Sequence, residues 1–319
     1  MIYFVLPILI LFGIRTTLIE VIIPGTDVIS SHLSFYLYGY ELVVALLLLR
    51  WFAKEGKEYI TRFALSMIPL ILITCLSVSP WISYLHVLRL INVSGFFLWI
   101  SKSENKENIQ WIMRGILVGG AGLLLIALGQ LIFQNSLGIT IFHEADISVD
   151  QVGIAKFEVF NQVLVRPYSL LPHPNVLGWL GVTIFSLLLA LNRPKYSYQI
   201  FIGSQIGYVL LDHMHWSYPV VQYIVALFGG LLIAHKHVYH EVRSKQRFLI
   251  TISIGMILLS ISRLSWGMFM IMSLVYILFE DKMFHVEHFS LKKSVAAIVI
   301  MPIVFFGTIW RFFQLIQET

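Results

Sequence analysis

Charge is scarce in this chain. Of its 319 residues only 12% are Asp, Glu, Lys or Arg, against 58% hydrophobic residues, which is far too little polar surface to coat a water-soluble globule. The chain has to be solvated by lipid. Its one cysteine, Cys75, falls inside an apolar run, permits no internal disulfide and carries no information about compartment. Internal repeats and low-complexity segments are missing as well, so the sequence shows no inverted-repeat transporter symmetry. The first apolar run, beginning at Ile2, has neither a basic leader nor a small-residue cleavage site and reads as a retained span rather than a removed signal peptide.

What the chain does have is a succession of apolar runs of about 15 to 23 residues, the length that crosses a hydrocarbon core of roughly 30 Å as a helix. Helices are the natural spanning element because each satisfies its own backbone hydrogen bonds. The expected fold class is therefore an all-α polytopic integral membrane protein, residues 1–319 forming a single transmembrane domain. Eleven spans are predicted, at residues 2–23, 34–52, 63–79, 84–100, 111–133, 174–191, 196–211, 217–234, 248–262, 264–279 and 294–310. With a cytoplasmic N-terminus, 16 of the 22 Lys and Arg residues collect on the cytoplasmic side. Lys156, Arg166, Arg263 and Arg311 stay outside, while Arg15 and Arg89 fall within spans, so the positive-inside rule selects this orientation. The basic pI of about 9.2 then reflects topological anchors beside anionic lipid, not nucleic-acid binding.

The same rule divides the stretch from Phe248 to Phe279, which as one helix would put Lys245 and Lys292 on opposite sides of the membrane. Two short spans turning at Arg263 fit better, and they set that guanidinium in a recess on the outer side. The one longer extracytoplasmic loop covers about residues 134–173. It carries His143, Glu144, Asp146 and Asp150, then an alternating stretch around Asn161-Gln162 that reads as a short hairpin. It ends in Arg166-Pro-Tyr-Ser-Leu-Leu-Pro-His-Pro-Asn175, where the prolines stiffen the approach to the sixth span and Asn175 is suited to cap its helix. Arg166 and His173 held at a membrane mouth make either an anion site or an ordinary structured connector.

The segment from Arg166 to Asn175 resembles the Arg-x-x-Gly-x-x-x-His-Pro-Asn signature of the O-antigen ligase and polysaccharide polymerase superfamily, with Ser169 where that family has glycine. A second stretch, Ser260-Ile-Ser-Arg263-Leu-Ser-Trp266, is similar to the family's Ser-Arg turn. The resemblance implies a multi-pass glycosyltransferase of the bacterial inner membrane, independent of metal and of any cofactor. Its partners would be the lipid bilayer, a polyprenyl-diphosphate-linked glycan and an acceptor glycan or glycolipid, in O-antigen, lipopolysaccharide or capsule assembly. It implies Arg166, Arg263 and His173 as catalytic residues, with Arg166, Arg263 and Asn175 binding substrate; Arg89, from its place inside the fourth span rather than from the resemblance, is a further candidate to bind substrate by lending positive charge. Guanidinium groups suit a departing diphosphate because they pair its oxygens two at a time. Arg89 equally suits a structural pair with Glu41 or Glu20, and Arg15 carries the same ambiguity.

The family's large external loop with a His-Asn motif has no counterpart before Thr319, so an incomplete form that binds its glycan more readily than it turns it over is expected. His173, or the pair His213 and His215, is then the available substitute base. Asp212-His213-Met214-His215 makes a poor metal signature and reads as interfacial. His235, His237 and His240 read as a basic loop at the headgroups, and the tryptophans and tyrosines as interfacial belts. The rival readings are a flippase or transporter for lipid-linked saccharides and a non-catalytic homologue. Cysteines introduced at Gln151 and Ser217 should react with an impermeant thiol reagent in intact cells, and those at Lys106 and Lys245 only after permeabilisation; labelling at Lys106 in intact cells overturns the orientation.

Overall fold

The computed structural model describes residues 1–13, 15–19, 35–55, 80–102, 106–142, 144–159, 162–192, 197–211 and 219–280, with isolated positions between 61 and 72. In chain order they form α1 (Ile2–Phe12), β1 (Arg15–Ile19), β2 (Phe35–Tyr38), α2 (Gly39–Glu55), α3 (Pro80–Ser101) and α4 (Lys106–Phe133). A 3-10 turn (Thr140–Phe142), β3 (Lys156–Val159) and β4 (Gln162–Val165) make up the following loop. Then come α5 (Pro174–Asn192), α6 (Ser197–Leu211), α7 (Pro219–Ile233), α8 (His235–Ser260) and α9 (Arg263–Glu280). Ser83–Ser101, Glu107–Phe133 and Pro174–Leu191 are long and apolar enough to cross a membrane. Large apolar side chains such as Leu46, Leu49, Leu125 and Ile132 point outward from the bundle, a surface whose natural solvent is lipid. The predicted spans at residues 63–79 and 294–310, and the residues Asp212 to His215, lie outside the described residues, save for scattered positions in the first.

Close contacts at glycines fix the helix directions. Gly115 lies against Phe4, Gly119 against Leu11 and Gly122 against Phe12, so α1 and α4 run parallel; Gly120 against Ile252 and Gly255 against Leu124 make α4 parallel to α8. Gly178 meets Ser260 and Gly181 meets Ser253, so α5 runs antiparallel to α8. Gly178 also meets Ser265, and Phe185 packs on Phe269, which sets α9 parallel to α5. Helix α5 is the hub. Its apolar window is 94% buried, against 33% for that of α4, because other helices rather than lipid surround it.

Three expectations are corrected. The first span was predicted to run to residue 23, but α1 stops at Phe12, where Gly13 takes a left-handed φ of 62° and donates its N–H to the Leu9 carbonyl 3.1 Å away. Beyond it Arg15–Ile19, β-branched at Thr16, Thr17 and Ile19, pairs antiparallel with Phe35–Tyr38. Eleven residues reach about 16 Å, roughly half a hydrocarbon core. The basic segment from His235 onward is not a loop; it is the first half of α8, continuous with the apolar half. Trp179, Tyr40 and Tyr223 are core residues rather than belt residues: Trp179 is 1% exposed and its indole N–H donates to Gln205 Oε1 at 3.1 Å, which solvates its one polar atom without an interface.

Arg89 sits against Glu41, as the structural reading of the sequence has it. Its Nε donates to Glu41 Oε1 at 2.5 Å, and the guanidinium lies 5.9 Å from the centre of the Tyr38 ring. Glu41 also accepts the Tyr38 backbone N–H at 3.0 Å, the back half of a capping box at the start of α2. Both side chains are buried, so removing one leaves a bare charge in the bundle. Glu41→Ala should destabilise the protein by about 3–5 kcal/mol in detergent unfolding. Adding Arg89→Leu should recover at least half of that; a single variant within about 1 kcal/mol of the parent would show the pair to be dispensable.

Candidate functional site

The loop after α4 is tied down before it reaches the sequence signature. Glu144 accepts backbone N–H groups from Leu137 at 2.6 Å and Ile139 at 2.7 Å, which closes the first half on itself. The alternating stretch forms the β3–β4 hairpin, pairing Lys156 with Val165 and Val159 with Gln162. Gln134, left-handed at φ 55° just past the end of α4, accepts the Val165 N–H at 2.7 Å. Ile147, Val165 and Tyr168 make a small apolar core under the loop.

Gln130, 1% exposed near the end of α4, holds the next turn. Its Oε1 accepts from the N–H of Tyr168 at 2.9 Å and of Ser169 at 2.6 Å, and its Nε2 donates to the Ser169 carbonyl at 3.0 Å and to Glu144 at 2.9 Å. One amide thus uses its whole donor and acceptor inventory on this loop. Ser169 has φ 56°, a left-handed conformation that glycine adopts without steric cost. The serine is fully buried, and its hydroxyl donates to the Leu123 carbonyl at 2.7 Å.

Past Ser169 the chain enters α5, and the cap is not the one expected. Pro174 occupies the first helical position, which makes His173 the capping residue: Val176 N–H donates to its carbonyl at 3.0 Å and Asn175 N–H to its ring Nδ1 at 3.1 Å. Asn175 lies inside the first turn. Its side-chain oxygen accepts from Arg166 Nη2 at 2.7 Å. The same guanidinium also reaches the end of α8, where Nε and Nη2 donate to the Ser260 carbonyl at 3.1 and 2.9 Å. Arg166 therefore joins the loop, α5 and the end of α8.

The second signature builds a turn. Ile261 ends α8 in a left-handed conformation at φ 47°, a strained setting for a β-branched residue, with its N–H on the Leu258 carbonyl at 3.2 Å. Ser262 starts α9, its carbonyl taking the Trp266 N–H at 3.0 Å, and the Trp266 indole donates back to the Ile257 carbonyl at 2.8 Å. Gly178 is what lets this turn seat on α5, since a Cβ there would lie 2.5 Å from Ser260 Oγ and closer still to Ser265 Oγ. Ser260, Ser262 and Ser265 are buried, while Arg263, in the first turn of α9, is exposed. The structure so brings Arg166, His173 and Asn175 to the turn that carries Arg263. Arg89 is engaged by Glu41 on α2. A cavity of about 140 Å³ opens beside the same loop, lined by Gly13, Tyr38, Ala145, Val220 and the segment from Leu170 to Pro172.

Among the described residues no three His, Cys, Asp or Glu side chains converge as a metal site. No protein-family model, no curated protein and no solved structure matches this chain. Gln130 is the residue that sequence reasoning missed; its signal was a lone amide near the end of an otherwise apolar run. Ser169→Gly should leave stability within about 1 kcal/mol, because relief of the left-handed strain offsets a lost hydrogen bond of about that size. Ser169→Val should cost more than about 2 kcal/mol, and equal tolerance of both in thermal unfolding would contradict the backbone argument.

Proposed function

We propose that this chain is a membrane glycosyltransferase of the O-antigen ligase and polysaccharide polymerase type. It is a multi-pass protein of the inner membrane with a cytoplasmic N-terminus, and its site faces outward. The carrying observation is the bonding of Arg166 to the Ser260 carbonyl, which unites the two stretches of sequence resemblance across 94 residues. Non-glycine residues with positive φ lend support: the three among the described residues, Gln134, Ser169 and Ile261, all belong to this loop or this turn. Strain held in place by surrounding hydrogen bonds is typical of working sites.

In the proposed reaction an acceptor hydroxyl attacks the anomeric carbon of a glycan linked to polyprenyl diphosphate. The bond between that carbon and the phosphate oxygen breaks, the hydroxyl proton passes to a base, and the diphosphate leaves with the electron pair. Arg263, exposed at the first turn of α9, is the guanidinium that meets the developing charge. Arg166, whose Nε and Nη2 donate to protein acceptors, sets the position of that turn. The rival reading, a flippase or transporter for lipid-linked saccharides, rests on Arg15 and Arg89 as an anionic path, and the Glu41 contact of Arg89 weighs against it.

Reconstitution with a polyprenyl-diphosphate oligosaccharide and an acceptor glycolipid tests the reading. Arg263→Gln and Arg263→Lys should each lower transfer about 100-fold or more while the fold is retained, since a lysine does not reproduce two-point pairing. Transfer unchanged in both variants, or movement of the lipid-linked glycan across the bilayer with no glycosidic bond formed, would overturn it.

A further inference from the structure

The hydrogen bond at the start of α5 decides what His173 can do. A backbone N–H only donates, so the Asn175 N–H at 3.1 Å obliges Nδ1 to present its lone pair. The proton of the neutral ring then resides on Nε2. A general base working from Nε2 needs the opposite tautomer, which would set an Nδ1–H against the Asn175 N–H, two donors face to face in a half-buried position. Nδ1 itself is occupied by the cap. The ring is also held edge-on to Tyr168, with centroids 5.8 Å apart, so it does not turn away from this arrangement without losing that contact.

We infer that His173 is a positioning residue: its neutral Nε2–H tautomer caps α5, and it is not the base that deprotonates the acceptor. The cap acts in series with the contacts already described. Nδ1 fixes the Asn175 backbone, the Asn175 side chain grips Arg166, and Arg166 holds the Ser260 carbonyl three residues from Arg263. The choice of residue fits the proposed substrate. An aspartate would cap as well, but it would put a negative charge next to a site proposed for a diphosphate, and a neutral imidazole caps without one.

The activity arm of the test rests on the proposed transferase reading; the other two arms do not. In the full chain labelled with 15N-histidine and held in lipid nanodiscs at neutral pH, the signal that vanishes in His173→Asn should report a protonated Nε2 and a bare Nδ1. An Nδ1–H tautomer or a fully protonated ring there overturns the inference. Asparagine is a strong capping residue, so His173→Asn should keep the parent's thermal unfolding profile and transfer within about 3-fold of the parent, whereas His173→Ala should lower transfer about 10-fold. If both variants remain folded and both lose about 100-fold or more, the ring is the base and the inference is wrong. A parent chain that transfers no glycan sinks the transferase reading alone, and the tautomer and the asparagine rescue of thermal stability then judge the cap.

Discussion

Arg166 donates to the last carbonyl of α8 from 94 residues earlier in the chain, and the geometry of the N-terminal end of α5 is built around that reach. The final carbonyls of a helix have no partner within it, and a helix C-terminus carries partial negative charge, so a guanidinium answers both needs at once. The reach is possible because Gly178 removes the side chain that would otherwise hold α5 away from the turn. A left-handed isoleucine costs about 1–3 kcal/mol, and Ile261 adopts that conformation where Arg166, Trp266 and the buried serines all hold the chain.

Polar groups inside the bundle are few and mostly spent on each other. Glu41 neutralises Arg89 and caps α2; Gln130 divides its amide between two turns of one loop; Trp179 and Thr183 share Gln205. A buried donor or acceptor without a partner costs about 1–3 kcal/mol, so each set penalises any packing that would separate its members. Apolar surfaces slide past one another with little preference. These bonded sets select one register for α2 on α3, for the loop on α4 and for α5 on α6.

Much of the helix order was readable because a span announces itself by length and composition: α3, α5, α7 and α9 fall within a few residues of the predicted runs. What was not readable depended on one residue's conformation. Gly13 ends α1 inside a run that is apolar on balance despite Arg15 and Glu20, and composition does not see a left-handed φ. Asn175 looked like a cap because asparagine is a good one, but Pro174 at the first helical position moves the capping role back to His173. Arg166 and Arg263 were both singled out from the sequence, yet the different use made of them was not, since exposure and acceptor geometry are properties of the fold. Gln130 stood out only as a lone amide in an apolar run, and three of its four bonds go to backbone atoms nearly 40 residues away, which side-chain pattern does not reveal.

The burial of α5 bears on the order in which the protein is assembled. The face carrying Gly178 and Gly181 is packed by α8 and α9, both synthesised after it, so on first entering the bilayer this helix presents to lipid a surface it later presents to protein. Its small residues form a narrow groove that lipid tails fill poorly, and the later arrival of α8 is favoured by that poor fit. Arg166 meanwhile waits without the Ser260 carbonyl it will hold. The loop end of the molecule therefore acquires its final shape last, when the turn after α8 docks, and an arrest of synthesis before that point leaves a protein with its earlier helices inserted and its loop end unmade.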